Sequence, residues 1–237
     1  MSLLRSLLFY LGLATATVFF VPCSLLLFPL SLSLRLRFIS KWSAFNLRWL
    51  KLSCNLTHEV EGLENIPARA AIIMCKHQSA WETLALQLIF PPQVWVIKRE
   101  LLWIPVYGWG LAAMQPIAID RVSGIKALRQ IVKQGRQRLA QGLWVVIFPE
   151  GTRVAPGKRV KYQPGGAMLA ERSASPIIPV AHNAGYFWPR NSIKKKPGVI
   201  KMVIGPAIDT AGKSASHIIK EVENWIETTV ASLPQPE

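Results

Sequence analysis

The stretch Ile72-Ile73-Met74-Cys75-Lys76-His77-Gln78-Ser79-Ala80-Trp81-Glu82 is the strongest constraint on the fold of this chain. An apolar run of strand character ends in a histidine, and a glutamate follows after four intervening residues. Apolar positions then resume at Ala85, Leu86, Leu88 and Ile89, close to helical spacing. A strand therefore runs into a helix with two ionisable groups at the junction, where ligand sites of open α/β sheets lie. Residues five apart on one helix are separated by about 140°. His77 must then precede the helix, with Glu82 in its first turn, where the helix N-terminus favours an anion. A carboxylate that accepts one ring N–H leaves the other nitrogen as a base for a hydroxyl proton. The same letters also fit a capping box, Ser79-x-x-Glu82. On that reading Glu82 folds back on the backbone and His77 is only a polar strand end.

The first 56 residues differ from the rest. Residues 3–34 carry no charge after Arg5, a run long enough to cross a hydrocarbon core of about 30 Å. Pro22 and Pro29 interrupt it, which argues against one straight helix. Two shorter helices dipping into one leaflet are the competing arrangement. A cleaved signal peptide is disfavoured by the length of the run, which is long for an h-region, and by the lack of a clear A-x-A cleavage site. A basic, aromatic segment follows, with Arg35, Arg37, Lys41, Arg48 and Lys51 among Trp42, Phe45 and Trp49. On a helix those three aromatics share one face, as at an anionic membrane interface. Positive charge after the apolar run places the remainder on the cytoplasmic side. The whole chain of 237 residues carries a net charge of +15 and a mean hydropathy of +0.27, which points to anionic surfaces and a membrane. Cys23, Cys54 and Cys75 are widely spaced, so neither a disulfide framework nor a metal site is expected.

From Thr57 onward, strands and helices alternate. Strands are expected around Val60 and over 70–75, 94–97, 116–119, 143–148, 176–181 and 199–204. Helices are expected over 79–90, 124–140, 165–173 and 214–232, with a helical or irregular segment at 105–114. This order predicts an α/β fold, a mostly parallel central sheet flanked by helices. The division is residues 1–56 as membrane anchor and basic amphipathic helix, and residues 57–237 as one catalytic-type domain. Three strand ends carry polar groups that one crevice would gather: His77 with Glu82, Lys98-Arg99, and Glu150-Gly151-Thr152-Arg153. Arg153 suits a bidentate grip on a phosphate and Lys98 a point charge beside it. Gly151 permits close backbone approach.

His77-x4-Glu82, Phe148-Pro149-Glu150-Gly151-Thr152-Arg153 and Ile178-Pro179-Val180 occur in the order of the glycerolipid acyltransferase family, and the chain resembles that family over about residues 60–210. The segments Lys98-Arg99-Glu100-Leu101 and Ile119-Asp120-Arg121 are similar to its second block, although an arginine usual there is absent near Gln115. Glu82 stands where the family has aspartate. The resemblance implies a bacterial lysophosphatidate acyltransferase at the cytoplasmic face of the inner membrane. It implies His77 and Glu82 as the catalytic pair, with Lys98, Glu150, Gly151, Thr152 and Arg153 at the acceptor. Acyl-CoA or acyl carrier protein would be the co-substrate, membrane lipids and lysophosphatidate the other partners, with no cofactor, metal or nucleic acid. An acyl-enzyme on Ser79 is an alternative route, and a sister enzyme for another lyso-lipid an alternative acceptor.

Other patterns carry less. Gly108-Trp109-Gly110-Leu111-Ala112-Ala113 fits G-x-G-x-x-A but lacks the preceding strand and the later acid. Ala211-Gly212-Lys213-Ser214 ends like a P-loop, but Ala207 replaces its first glycine. There is no G-x-S-x-G elbow, and His58, His182 and His217 read as structural. A non-catalytic basic protein binding membrane or nucleic acid would fit the charge and the nine tryptophans. It leaves the His77–Glu82 spacing and the FPEGTR turn without a reason.

Overall fold

The structure is a computed structural model that describes residues 2–235. Two long helices, α1 (Ser2–Leu26) and α2 (Leu32–Cys54), precede an alternating succession. It runs β1 (Leu56–Glu61), β2 (Ile72–Cys75), α3 (Trp81–Ile89), β3 (Gln93–Lys98), α4 (Tyr107–Ala113), β4 (Ile117–Ile119), α5 (Ile125–Ala140), β5 (Trp144–Ile147), α6 (Gly165–Ser173), β6 (Ile177–His182), β7 (Gly198–Ile204) and α7 (Ala215–Ser232). The strands form one seven-stranded sheet in the order β1-β7-β6-β2-β5-β3-β4. Strands β2 to β6 are parallel, and β7 meets β6 antiparallel. The mostly parallel α/β expectation holds.

Strands β2, β5 and β6 are buried on both faces and read as unbroken apolar runs. Nearer the edge, β7 alternates, with Ile200, Met202 and Ile204 inward. Helices α5, α6 and α7 cover the sheet face to which Met74 points, where Gly166 of α6 abuts Met74. Helices α2 and α3 pack together, and α2 also meets β1. The parallel arrangement brings His77, Lys98, Arg121, Glu150 and His182 to one edge, each at or just beyond the end of its strand.

The N-terminal apolar run is two helices, and the break falls at Pro29. The residues after α1 form the turn, while α1 continues through Pro22. Pro22 lies near the C-terminal end of α1, where one lost intrahelical bond costs little continuity. The two helices pair antiparallel: Trp42 Nε1–H donates to Thr17 Oγ1 at 3.3 Å and Trp49 Nε1–H to the Leu8 carbonyl at 3.2 Å. This corrects the single membrane-facing aromatic face. Trp42 and Trp49 turn toward α1, and only Phe45 is exposed. Arg35, grouped by sequence with the exposed basic residues, is buried. Its Nη1–H donates to the Ala113 carbonyl at 3.1 Å, and its guanidinium lies over Phe28.

Helix α1 is apolar enough to cross a membrane over Leu3–Leu26. Its outward surface carries Leu4, Leu11, Val18, Phe19 and Leu26. Its other side is fastened to the α/β unit at both ends. The Lys195 ammonium sits among Phe9, Tyr10 and Trp188, with the Tyr10 ring centroid 3.6 Å away. Val21 lies against Gly110 of α4. The contact between α1 and α2 depends on Gly12, where a Cβ would fall 2.0 Å from Trp49 Nε1. Helix propensity alone favours Gly12→Ala by about 1 kcal/mol. Overpacking against the indole should reverse that sign and cost about 1–3 kcal/mol. Thermal unfolding of the detergent-solubilised variant checks this, and a stabilised Gly12→Ala contradicts the packing.

Candidate active site

The residues after β2 turn sharply into α3, and Glu82 organises the turn. Glu82 is fully buried, and its Oε1 accepts from His77 Nδ1–H at 2.8 Å, from Gln78 N–H at 3.0 Å and from Ser79 N–H at 2.9 Å. Ser79 Oγ in turn accepts from Trp81 N–H at 3.2 Å. Half of the capping box, Glu82 reaching back to the Ser79 N–H, therefore coexists with the His–Glu pair, because one carboxylate oxygen serves both, while Ser79 Oγ meets the Trp81 N–H in place of the Glu82 N–H. Burial works against ionising Glu82. His182 nearby, the His77 hydrogen bond and the Ser79 N–H together hold its carboxyl below the usual range. At neutral pH it is a carboxylate, and the His77 tautomer that suits it carries its proton on Nδ1. Nε2 is then the unprotonated nitrogen.

The His77 ring stacks on Phe148, with centroids 3.9 Å apart and planes 12° from parallel. The first residue of the FPEGTR turn thus sets the tilt of the imidazole. The main chain ties the two turns together as well: Val154 N–H donates to the His77 carbonyl at 2.7 Å. Gly151 sits at φ +68°, a conformation other residues adopt with strain.

A cavity of about 180 Å³ opens at His77. Lys98, Arg121 and Arg153 line its polar end beside His77 and Phe148. Its other end runs between the hairpin and α4, lined by Thr17, Val21, Trp42, Gly110, Leu111 and Met114. One hollow therefore joins a cationic mouth to an apolar passage. His77, Lys98 and Arg153 come together here, as expected from their strand ends. Arg121, two residues beyond β4, joins them without having been expected at the site. Burial lowers the Arg121 guanidinium from its ordinary value, and Glu100 works the other way.

Glu150 lies elsewhere than expected. Its side chain is fully buried and does not line the His77 cavity, with Oε1 2.9 Å from Lys76 Nζ and Oε2 accepting His77 N–H at 2.8 Å. Thr152 is exposed on the turn. Lys76 continues inward to Glu227 Oε1 at 2.6 Å, and Tyr162 OH donates to the same oxygen at 2.8 Å. Neither Lys76 nor Glu227 was singled out from sequence. The available signals were a lysine at the end of an apolar strand and a glutamate next to Ile226 on the buried face of α7. His182, read as structural, lies behind Glu82, with Nε2 3.9 Å from Glu82 Oε2. Its Nε2–H donates to the Lys76 carbonyl at 2.8 Å, and its Nδ1 accepts Ala184 N–H at 3.2 Å. Burial keeps that imidazole below the usual histidine range. Among the described residues, no cluster of three or more His, Cys, Asp or Glu is arranged to hold a metal ion.

This arrangement offers an open ring nitrogen, an oriented tautomer and cations within one cavity. Comparison with known proteins places it. The family model described as Acyltransferase matches residues 57–183, which include His77, Glu82 and the FPEGTR turn. A 1-acyl-sn-glycerol-3-phosphate acyltransferase of Pseudomonas aeruginosa is 41% identical over 235 residues, covering 97% of this chain and 91% of that protein. One from Cocos nucifera is 28% identical over 178 residues, covering 74% of this chain and 58% of that protein. The crystal structure of the 1-acyl-sn-glycerophosphate (LPA) acyltransferase PlsC from Thermotoga maritima matches with a TM-score of 0.81 at 25% identity, covering 97% of this chain and 95% of that one. With the family model spanning more than half its length and a relative this similar end to end, the chain belongs to the acyltransferase family.

Proposed function

We propose that the chain transfers an acyl group from a thioester to the sn-2 hydroxyl of 1-acyl-glycerol-3-phosphate, giving phosphatidic acid. The observation that carries this reading is the His77 ring, bonded to Glu82 through Nδ1 at 2.8 Å and lining a cavity that also holds Lys98, Arg121 and Arg153. The phosphate of lysophosphatidate sits against these cations, with Arg153 as the bidentate donor. Its free hydroxyl lies at His77 Nε2. As the oxygen attacks the thioester carbonyl, Nε2 takes the hydroxyl proton. The C–S bond then breaks, and the departing thiolate of CoA or acyl carrier protein recovers that proton from His77. Glu82 touches no reacting atom. It fixes the tautomer and supports the imidazolium while the proton is held.

Gly151 and Thr152 form the turn that aims Arg153. The apolar passage between hairpin and α4 takes a hydrocarbon chain. In this reading residues 1–56 anchor the enzyme in the membrane and open a way in for lipid, and residues 57–237 do the chemistry at the cytoplasmic face. The reaction uses the acyl thioester as co-substrate and no further cofactor. Relatives named as lysophosphatidate acyltransferases support the choice of acceptor.

His77→Ala in reconstituted membranes should abolish transfer from acyl-CoA to lysophosphatidate while membrane association persists, and undiminished transfer removes the assigned base. Glu82→Gln should lower kcat by about 10²–10⁴-fold, since an amide stabilises neither the tautomer nor the imidazolium. Arg153→Lys should raise KM for lysophosphatidate without restoring the bidentate contact. Leu111→Trp, which narrows the apolar passage, should shift product composition toward shorter acyl chains in a mixed-donor assay.

A further inference from the structure

We propose that the last helix sets the position of His77 through a buried relay of ion pairs, Glu227–Lys76–Glu150, so that Lys76 and Glu227 are positioning residues for the transfer. This rests on the reading of His77 as base and goes beyond it, since Glu227 lies outside the stretch the family model covers.

The relay can be followed atom by atom. Glu227 Oε1 meets Lys76 Nζ at 2.6 Å, Lys76 Nζ meets Glu150 Oε1 at 2.9 Å, and Glu150 Oε2 accepts His77 N–H at 2.8 Å. Glu227 is also gripped by Tyr162 OH at 2.8 Å and approached by Arg159 Nε at 3.5 Å, both from the loop after the FPEGTR turn. It therefore joins α7, that loop and the end of β2 at one point. Lys76 is held on every side. Its N–H donates to the Val180 carbonyl at 2.9 Å, and its own carbonyl accepts from His182 Nε2–H at 2.8 Å. The residue immediately before His77 thus has no freedom in main chain or side chain.

The cluster is a poor device for stability. A buried ion pair seldom exceeds a packed hydrophobic replacement in net contribution, and here one ammonium serves two carboxylates. Burial pushes Glu150 up to about 7, with Lys76 and the His77 N–H opposing the shift and Glu227 adding to it. Among the described residues, the titratable groups around Glu150 include Lys76, Glu227, Tyr162, Cys75 and His77. Its folded value lies above the ordinary carboxylate value near 4.5. Its stabilising contribution is therefore complete below that ordinary value and is lost as pH rises through about 7. An ionised Glu150 at neutral pH is a cost, and what it holds is the His77 N–H. Catalytic groups lose about 10²-fold for a displacement of roughly 1 Å, so geometry is what the cost maintains.

The test uses the full chain in phospholipid–detergent micelles with lysophosphatidate and acyl-CoA. Glu227→Gln should lower kcat about 10- to 100-fold, with KM for either substrate changed less than about twofold. The downfield proton resonance of the His77–Glu82 hydrogen bond should shift. Glu150→Gln should lower kcat in the same way while raising the midpoint of thermal unfolding at pH 8 relative to pH 5. The double variant Glu150→Gln, Glu227→Gln should lose no more than Glu150→Gln alone, because both act through one route. An unchanged kcat per folded enzyme in Glu227→Gln, or losses that multiply in the double variant, overturns the relay. If Glu227→Gln does not fold, Tyr162→Phe decides. A smaller loss confined to kcat supports the relay, and no loss overturns it. His77→Ala run in parallel separates the two ideas: residual transfer there removes the base itself, whereas its loss beside an unaffected Glu227→Gln removes only the relay.

Discussion

A single buried carboxylate holds this site in shape. Glu82 has no exposure to water, so its charge must be met by N–H groups supplied from the protein. Three of them converge on one oxygen, two from the main chain of the β2–α3 turn and one from the His77 ring. The path of the turn and the orientation of the imidazole are therefore one problem with one solution. Phe148 covers one face of that ring by stacking.

Around that turn the fold divides labour by polarity. Parallel strands deliver their polar ends to one edge because their middles are apolar on both faces and tolerate no charge. The helical hairpin supplies what the sheet lacks, an apolar wall reaching from the outer surface of α1 to the cavity beside His77. The α1–α2 contact is close because Gly12 has no side chain, and α1 is fixed to the α/β unit by Lys195 among aromatic rings. A cationic mouth and an apolar passage then share one boundary, which suits a substrate with a phosphate at one end and a hydrocarbon at the other.

Much of this was legible in the residues. Unbroken runs such as Leu143–Phe148 mark strands buried on two faces, and their alternation with helical periods implies a parallel sheet. The spacing of His77 and Glu82 allowed one placement across a strand–helix junction, and the structure has it. Local patterns were less informative where a residue's partner lies far along the chain. Trp42 and Trp49 suit a membrane interface when read alone, yet their indole N–H groups are satisfied by α1, about 25 and 41 residues away. Arg35 looks like one more surface cation until Ala113 and Phe28 enclose it. Glu150 sits in a motif rich in ligand-type residues, but its direction depends on where Lys76 points.

What the sequence determined by itself was the sheet, its buried strands, and the meeting of histidine, glutamate and cations at one edge. These follow from periodicity and spacing, which act between neighbours along the chain. Tertiary structure alone decided that Glu150 faces inward, that Arg121 joins the cavity, and that Glu227 reaches Lys76 across 151 positions. Those outcomes depend on which charges lose their water together, and the chain must close upon itself before that is settled.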